Sequence, residues 1–239
     1  MNKSIWTITK INLKNINVPY FVTGVLVFLM LVQIFIMILV ARNGEAAGNV
    51  EISLGCYLWL LPAMAAIFIP AKNFRRTINL GGKRGNFFWG SLATYAILAA
   101  VVSLANVLIH YAFDSVLEAT GYYDTETMGG VVNMVEVFGW ISNGALAAFF
   151  QQFAFLFLFA AFTHTLTAAQ DKWYGWAADV AIVSIISVFT PITPLRAALA
   201  WFFNLIIFHQ NALLQIVACI VLAAAIYALN KPILARKAI

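Results

Sequence analysis

The sequence predicts an all-α integral membrane protein with six transmembrane helices, an N-terminal amphipathic interface helix, and a re-entrant extracellular element between helices five and six. Three observations carry that reading. Of 239 residues, 63% are hydrophobic and 10% charged, whereas a soluble domain carries roughly 25% charged residues. A water-facing surface cannot be built from so few. The apolar runs are continuous and near the length of about 20 residues that crosses a bilayer core of about 30 Å. A transmembrane barrel would instead alternate apolar and polar residues over segments of about ten. Finally, the basic residues fall almost wholly on every second connection, as the positive-inside rule expects of helices that cross and return. No internal repeat or low-complexity linker divides the chain, so residues 1–239 form a single transmembrane domain.

In chain order, residues 1–17 wind at 100° per residue into an amphipathic helix. Lys3, Lys10 and Lys14 share about 40° of arc, with Ile5, Trp6, Leu13 and Ile16 on the opposite side. A basic helix of this kind lies on the inner membrane surface, either as a topology anchor or as a dock for a partner. The spans follow at residues 18–41, 52–71, 89–113, 144–169, 173–190 and 212–229. The first is too long for a secretory signal, whose apolar part runs roughly 7 to 15 residues. Pro19 opens the first span, Pro191 and Pro194 end the fifth, and Pro232 follows the sixth, while Pro62 falls inside the second and predicts a kink. Residues 191–211 hold an apolar core, 197–208, of only about 18 Å as helix, too short to cross. They are expected to form a re-entrant or interfacial hairpin.

Orientation follows from charge. With the N-terminus inside, Lys3, Lys10, Lys14, Lys72, Arg75, Arg76, Lys83, Arg84, Lys172, Lys231, Arg236 and Lys237 are cytoplasmic, and of the 14 basic residues only Arg42 and Arg196 remain outside. Both termini are therefore expected in the cytoplasm. The net charge of +5 is a topology signal on this reading, not a nucleic-acid surface. Cys56 and Cys219 sit singly in apolar runs and read as packing residues, since their spacing fits neither a metal site nor a disulfide framework.

Residues 72–88 form the longest expected cytoplasmic connection. Phe74, Ile78 and Leu80 are expected on one side of a short helix stopped by Gly81 and Gly82, amid Arg75, Arg76, Lys83 and Arg84. Topology alone needs the charges but not the apolar side chains. Phe-Arg-Arg at 74–76, six residues, Lys-Arg at 83–84, then Asn-Phe-Phe-Trp-Gly at 86–90 leading into a helix resembles the loop between helices two and three of export-class permease subunits of ATP-binding-cassette transporters. The likeness extends to the architecture of the whole chain. Two features depart from the family pattern: the glutamate common at the start of that loop is absent, and the connection between spans three and four is long.

The resemblance implies a multi-pass subunit of a bacterial cytoplasmic membrane that moves a peptide, drug or lipid-like substrate out of the cell. It implies ATP-binding-cassette ATPase subunits as partners, seated on a coupling loop that here comprises Phe74, Arg75, Arg76, Ile78, Leu80, Gly81, Gly82, Lys83 and Arg84. It also implies a second permease chain, identical or paralogous. No Gly-x-x-x-x-Gly-Lys-Ser/Thr loop occurs in this chain, so ATP and Mg would be bound by the partner, and the chain itself holds no cofactor and is not an enzyme. Neither a His-Glu-x-x-His zinc motif nor a serine nucleophile elbow appears.

The connection 114–143 carries Asp114, Glu118, Asp124, Glu126 and Glu136 with no lysine or arginine, a net charge of −5. It either steers cationic substrates to the outer mouth or simply populates the side that basic residues avoid. Asp179, about six residues into the fifth span, is a transport-path candidate because a charge there is costly, and otherwise a structural partner of nearby Lys172. His110, His164 and His209 lie near span ends and read as hydrogen-bonded interfacial side chains. The alternative to the exporter is a stand-alone membrane protein, either an ion-coupled carrier using Asp179 or an immunity or sensor protein.

Overall fold

The computed structural model describes residues 3–42, 51–114 and 131–237. Most of the acidic connection, with Glu118, Asp124 and Glu126, lies outside the described residues. The chain is helical almost throughout. After α1 (Lys3–Lys14) and α2 (Asn17–Arg42), the second span is assembled from α3 (Leu54–Tyr57), α4 (Leu60–Phe68), a π turn (Ile69–Asn73) and α5 (Phe74–Asn79). Then come α6 (Arg84–Leu108), α7 (Met134–Val137), a 3-10 turn (Trp140–Asn143), α8 (Ala145–Ala169), α9 (Trp173–Phe189), α10 (Thr193–Phe203) and α11 (Ala212–Arg236). The strands β1 (Glu51–Ile52) and β2 (Val131–Val132) pair in parallel, with Glu51 opposite Val131.

Among the described residues five helices are long and apolar enough to cross a membrane: Asn17–Ile36, Leu54–Asn79, Arg84–Ala112, Ala145–Ala169 and Ala212–Arg236. The pair Trp173–Phe189 and Thr193–Phe208, bent by 118° at its break, makes a sixth if counted as one span. The chain thus has the make-up of a multi-pass membrane protein. Helix α8 is the axis of the bundle, with α4, α6 and α11 packed around it. Small residues permit this, since Ala148, Ala154, Ala160, Ala161 and Ala168 of α8 are all buried and let neighbouring backbones approach.

Prolines explain the broken second span. Pro62 has no N–H for the Leu58 carbonyl, and the helix is interrupted just there, the N–H of Leu61 taking that carbonyl at 3.0 Å instead. Pro70 sits in the π turn that follows. Despite both, the span runs on to Asn79, so the connection to α6 is residues 80–83. Pro232 does not end the last helix, which continues through it to Arg236.

Helix α1 packs on the start of α6 by a face that overlaps the expected apolar side only in part, Ile5 and Leu13 being half-buried. Ile8, Thr9, Asn12 and Ile16 are buried while Trp6 is exposed. The Thr9 hydroxyl reaches the Gly90 carbonyl at 3.2 Å, and a Cβ on Gly90 would stand 2.7 Å from Ile8, so only glycine allows this approach. Asn73 Nδ2 donates to Asn12 Oδ1 at 3.3 Å. The lysine arc points the other way, with Lys3, Lys10 and Lys14 exposed.

Candidate functional site

The contacts of α1 with α6 and the π turn, and those of α11 with α6 and the α8–α9 turn, gather one end of the bundle. The segments bearing twelve of the fourteen basic residues meet there. At its centre α5 has two faces. Asn73, Phe74 and Thr77 are buried and Ile78 half-buried, whereas Lys72, Arg75, Arg76, Asn79 and Leu80 are exposed. The structure therefore places Phe74, Ile78 and Leu80 on different sides. Phe74 and Ile78, four residues apart, share the inward face, and Leu80 falls at the helix end, turned outward and 74% exposed.

The stop that turns Leu80 outward is a Schellman closure. The N–H of Gly82 reaches the Thr77 carbonyl and that of Gly81 the Ile78 carbonyl, both at 2.9 Å, with Gly81 at φ +80°. Lys83, also exposed, and Arg84 then lead into α6.

The inward face is bolted to three spans. The Phe74 ring meets Phe87 edge-on at 5.2 Å and carries two cations, Arg84 and Lys237, each 5.8 Å from its centroid. Arg84 Nη1 donates to the carbonyls of Leu234 and Ala235 at 2.7 and 2.5 Å, satisfying groups that the end of α11 leaves open. Lys237, 4% exposed, pairs with Asp171 at 3.0 Å across the α8–α9 turn and donates to the Ala168 carbonyl at 3.4 Å.

Asp179 sits one helical turn and a half into α9, half-buried, where its Oδ2 accepts from Gln170 Nε2 at 2.6 Å. Its neighbour is thus the turn amide, at the basic end and not at mid-span. His209 lies at the other end, its Nδ1 accepting from the N–H of Asn211 at 3.0 Å. His164 differs from the interfacial side chain the sequence suggested. It is wholly buried between α6, α8 and α11, with Tyr95 hydrogen-bonded to its Nδ1 at 2.5 Å and the Tyr227 ring 5.3 Å away. Tyr227 donates to the Phe88 carbonyl at 3.0 Å, and Ser91 and Asn230 flank its hydroxyl. The signal for this cluster was three polar aromatic residues inside apolar runs, but nothing local says that they meet.

A second polar layer lies toward the opposite end. Gln151 Nε2 donates to Gln215 Oε1 at 2.5 Å, Gln215 Nε2 to the Ile206 carbonyl at 3.0 Å, and Asn143 Nδ2 to Gln151 Oε1 at 3.3 Å. Among the described residues no group of three or more His, Cys, Asp or Glu is placed to hold a metal ion. What the arrangement provides is a buried, partly hydrogen-bonded core and, on α5, an exposed knob of mixed charge and apolar character. The chain matches no protein family, no curated protein and no solved structure.

Proposed function

We propose that this chain is the membrane-spanning subunit of an ATP-driven exporter, with its basic end in the cytoplasm and ATP hydrolysed by a separate subunit. The observation that carries the reading is the α5 knob. Its outer face, Arg75, Arg76, Leu80 and Lys83, is free to meet a partner, while its inner face is bolted through Phe74, Arg84 and Lys237 to α6, α8 and α11. A push on the outer face would reach three spans at once. A loop kept only for topology needs neither the bolt nor the exposed Leu80.

Orientation follows from the twelve basic residues at that end. The exposed lysine arc of α1 suits a helix on the inner surface, and the 118° bend into α10 suits a re-entrant element from the outside. Two helices also carry exposed apolar stripes at 3–4 spacing. These are Phe21, Val25, Phe28, Val32 and Phe35 on α2, and Trp173, Trp176, Val180 and Val183 on α9. They suit a second permease chain as well as lipid. Peptides, drugs and lipid-like molecules remain the substrate classes that the family resemblance brings.

The buried Tyr95–His164–Tyr227 cluster favours a second reading, a stand-alone proton-coupled carrier. One experiment separates the two. The chain, affinity-tagged and expressed with its neighbouring reading frames, is expected to purify with a subunit that hydrolyses ATP. Leu80→Ser combined with Arg76→Ser is expected to lose that subunit while leaving the amount of chain in the membrane unchanged. A chain that purifies alone and transports on a proton gradient would replace the exporter with the carrier.

A further inference from the structure

At the basic end a groove opens between the start of α6 and the last turns of α11. It encloses about 230 Å³ and is lined by Arg84, Gly85, Phe88, Trp89, Lys231 and Leu234. We propose that this groove binds the headgroup of an anionic phospholipid, phosphate against Arg84 and Lys231 and acyl chains along Phe88, Trp89 and Leu234.

Charge is the first argument. Arg84 spends the two hydrogens of Nη1 on the Leu234 and Ala235 carbonyls, which leaves the N–H groups of Nε and Nη2 for a phosphate oxygen. Lys231, exposed on the facing helix, brings a second cation to the same groove. No carboxylate lines it. The acidic side chains that the structure describes near this end, Asp171 and Asp179, are already engaged by Lys237 and Gln170. Gly85 adds the positive end of a 25-residue helix with no side chain in the way.

Position is the second. Trp89 stands 55% exposed on the wall, one turn and a half into a span, the level at which tryptophan marks the headgroup boundary. Cations therefore sit at the rim and apolar surface runs inward from them. A free phosphate would use the rim alone. A phosphodiester carrying acyl chains uses both, and basic pockets between helices at this level suit such lipids. The proposal rests on the chain being a membrane protein and is independent of whether an ATPase docks on α5.

The test is native mass spectrometry of the protein extracted from bilayers of phosphatidylcholine and phosphatidylglycerol with matched acyl chains. Phosphatidylglycerol is expected to be retained preferentially. Lys231→Gln should lower that preference about fivefold, the loss of one cation near an anionic headgroup. Lys10→Gln with Lys14→Gln, which removes equal or greater charge from α1, should leave it unchanged, and millimolar inorganic phosphate should not compete. Gel filtration checks that each variant is folded. Equal retention of the two lipids, an equal loss in the α1 variant, or displacement by phosphate would overturn the proposal. Failure of the membrane reading itself would look different, as a chain found in the soluble fraction.

Discussion

The two ends of the bundle are stitched by different chemistry. At the basic end charged joints, Lys237 with Asp171, Arg84 on the carbonyls of α11, and both cations over Phe74, join the neutral bonds of Asn73 to Asn12 and of Thr9 to Gly90. At the opposite end the joints among the described residues are neutral. Gln151 pairs with Gln215, Asn133 donates to Ser53 at 3.3 Å, and Trp140 donates to the Ile207 carbonyl at 2.7 Å beneath a stack in which Trp59 and Trp140 lie 6.1 Å apart. The difference follows from supply. An end that keeps its lysines and arginines can spend some on joints, with long stems that let charged heads reach water or headgroups. An end almost without them must satisfy its buried donors and acceptors with amides, which pair without any net charge to desolvate.

The largest expected effect probes the charged joint. Phe74→Ala removes a fully buried ring that two cations and Phe87 close upon, and should cost about 3–5 kcal/mol in reversible unfolding of the purified protein. Leu80→Ala, on the exposed side of the same element, should stay within about 0.5 kcal/mol. Equal losses at the two positions would mean that α5 has no inward bolt. For this reason a Phe74 substitution cannot isolate a partner contact, and the outer-face residues must carry that test.

The neutral joint should respond less, and in a characteristic pattern. Gln215→Ala strands the Gln151 amide in a buried layer and should cost about 1–3 kcal/mol. The double substitution Gln151→Leu with Gln215→Leu should recover most of that loss, because it removes both partners at similar volume. The Ile206 carbonyl keeps a donor in Cys219 Sγ at 3.5 Å. Thermal unfolding of both variants decides. A double variant worse than the single one would show that the amides do more than satisfy each other.

The same contrast marks what was legible in the sequence. The entry at Pro19, the breaks at Pro191 and Pro194, and the stop at Gly81 and Gly82 depend on neighbours within a turn, and each stands in the structure as the residues indicate. The end of α11 does not. Pro232 signals a stop, yet the helix runs on for another turn because Arg84, 150 residues away in the chain, bonds its last carbonyls. Likewise the lysine arc of α1 is plain in the sequence, but the face that packs is chosen by Gly90 and Asn73. Tyr95, His164 and Tyr227 are unremarkable singly and become a buried cluster only through packing. Residues 72–79 look like loop because of their basic side chains, yet they continue the second span and leave only 80–83 as the connection.

Asp179 is the exception at the basic end, a carboxylate held by an amide where its neighbours are held by cations, and it offers the smallest and sharpest test. Its Oδ2 accepts a hydrogen bond of 2.6 Å from Gln170 across the α8–α9 turn. In Asp179→Asn the side-chain carbonyl can accept the same bond. The loss is then only the difference between a charged and a neutral acceptor at a half-buried site, at most about 1 kcal/mol. If Asp179 is a clamp on the turn, unfolding should shift by no more than that and the transport proposed for this chain should continue at the parent rate. If it lies on the transport path, the neutral variant should fold normally yet lose transport by an order of magnitude or more, since a carboxylate that carries charge or cation has no substitute in an amide. The clamp is the expected result, because Asp179 faces the turn near the basic end and not the middle of the bundle. Transport measured in vesicles, alongside thermal unfolding of the same preparation, separates the two. On the proposed transport reading, a folded and inactive Asp179→Asn would place the substrate route not in the interior of the bundle but on the little-buried face of α9.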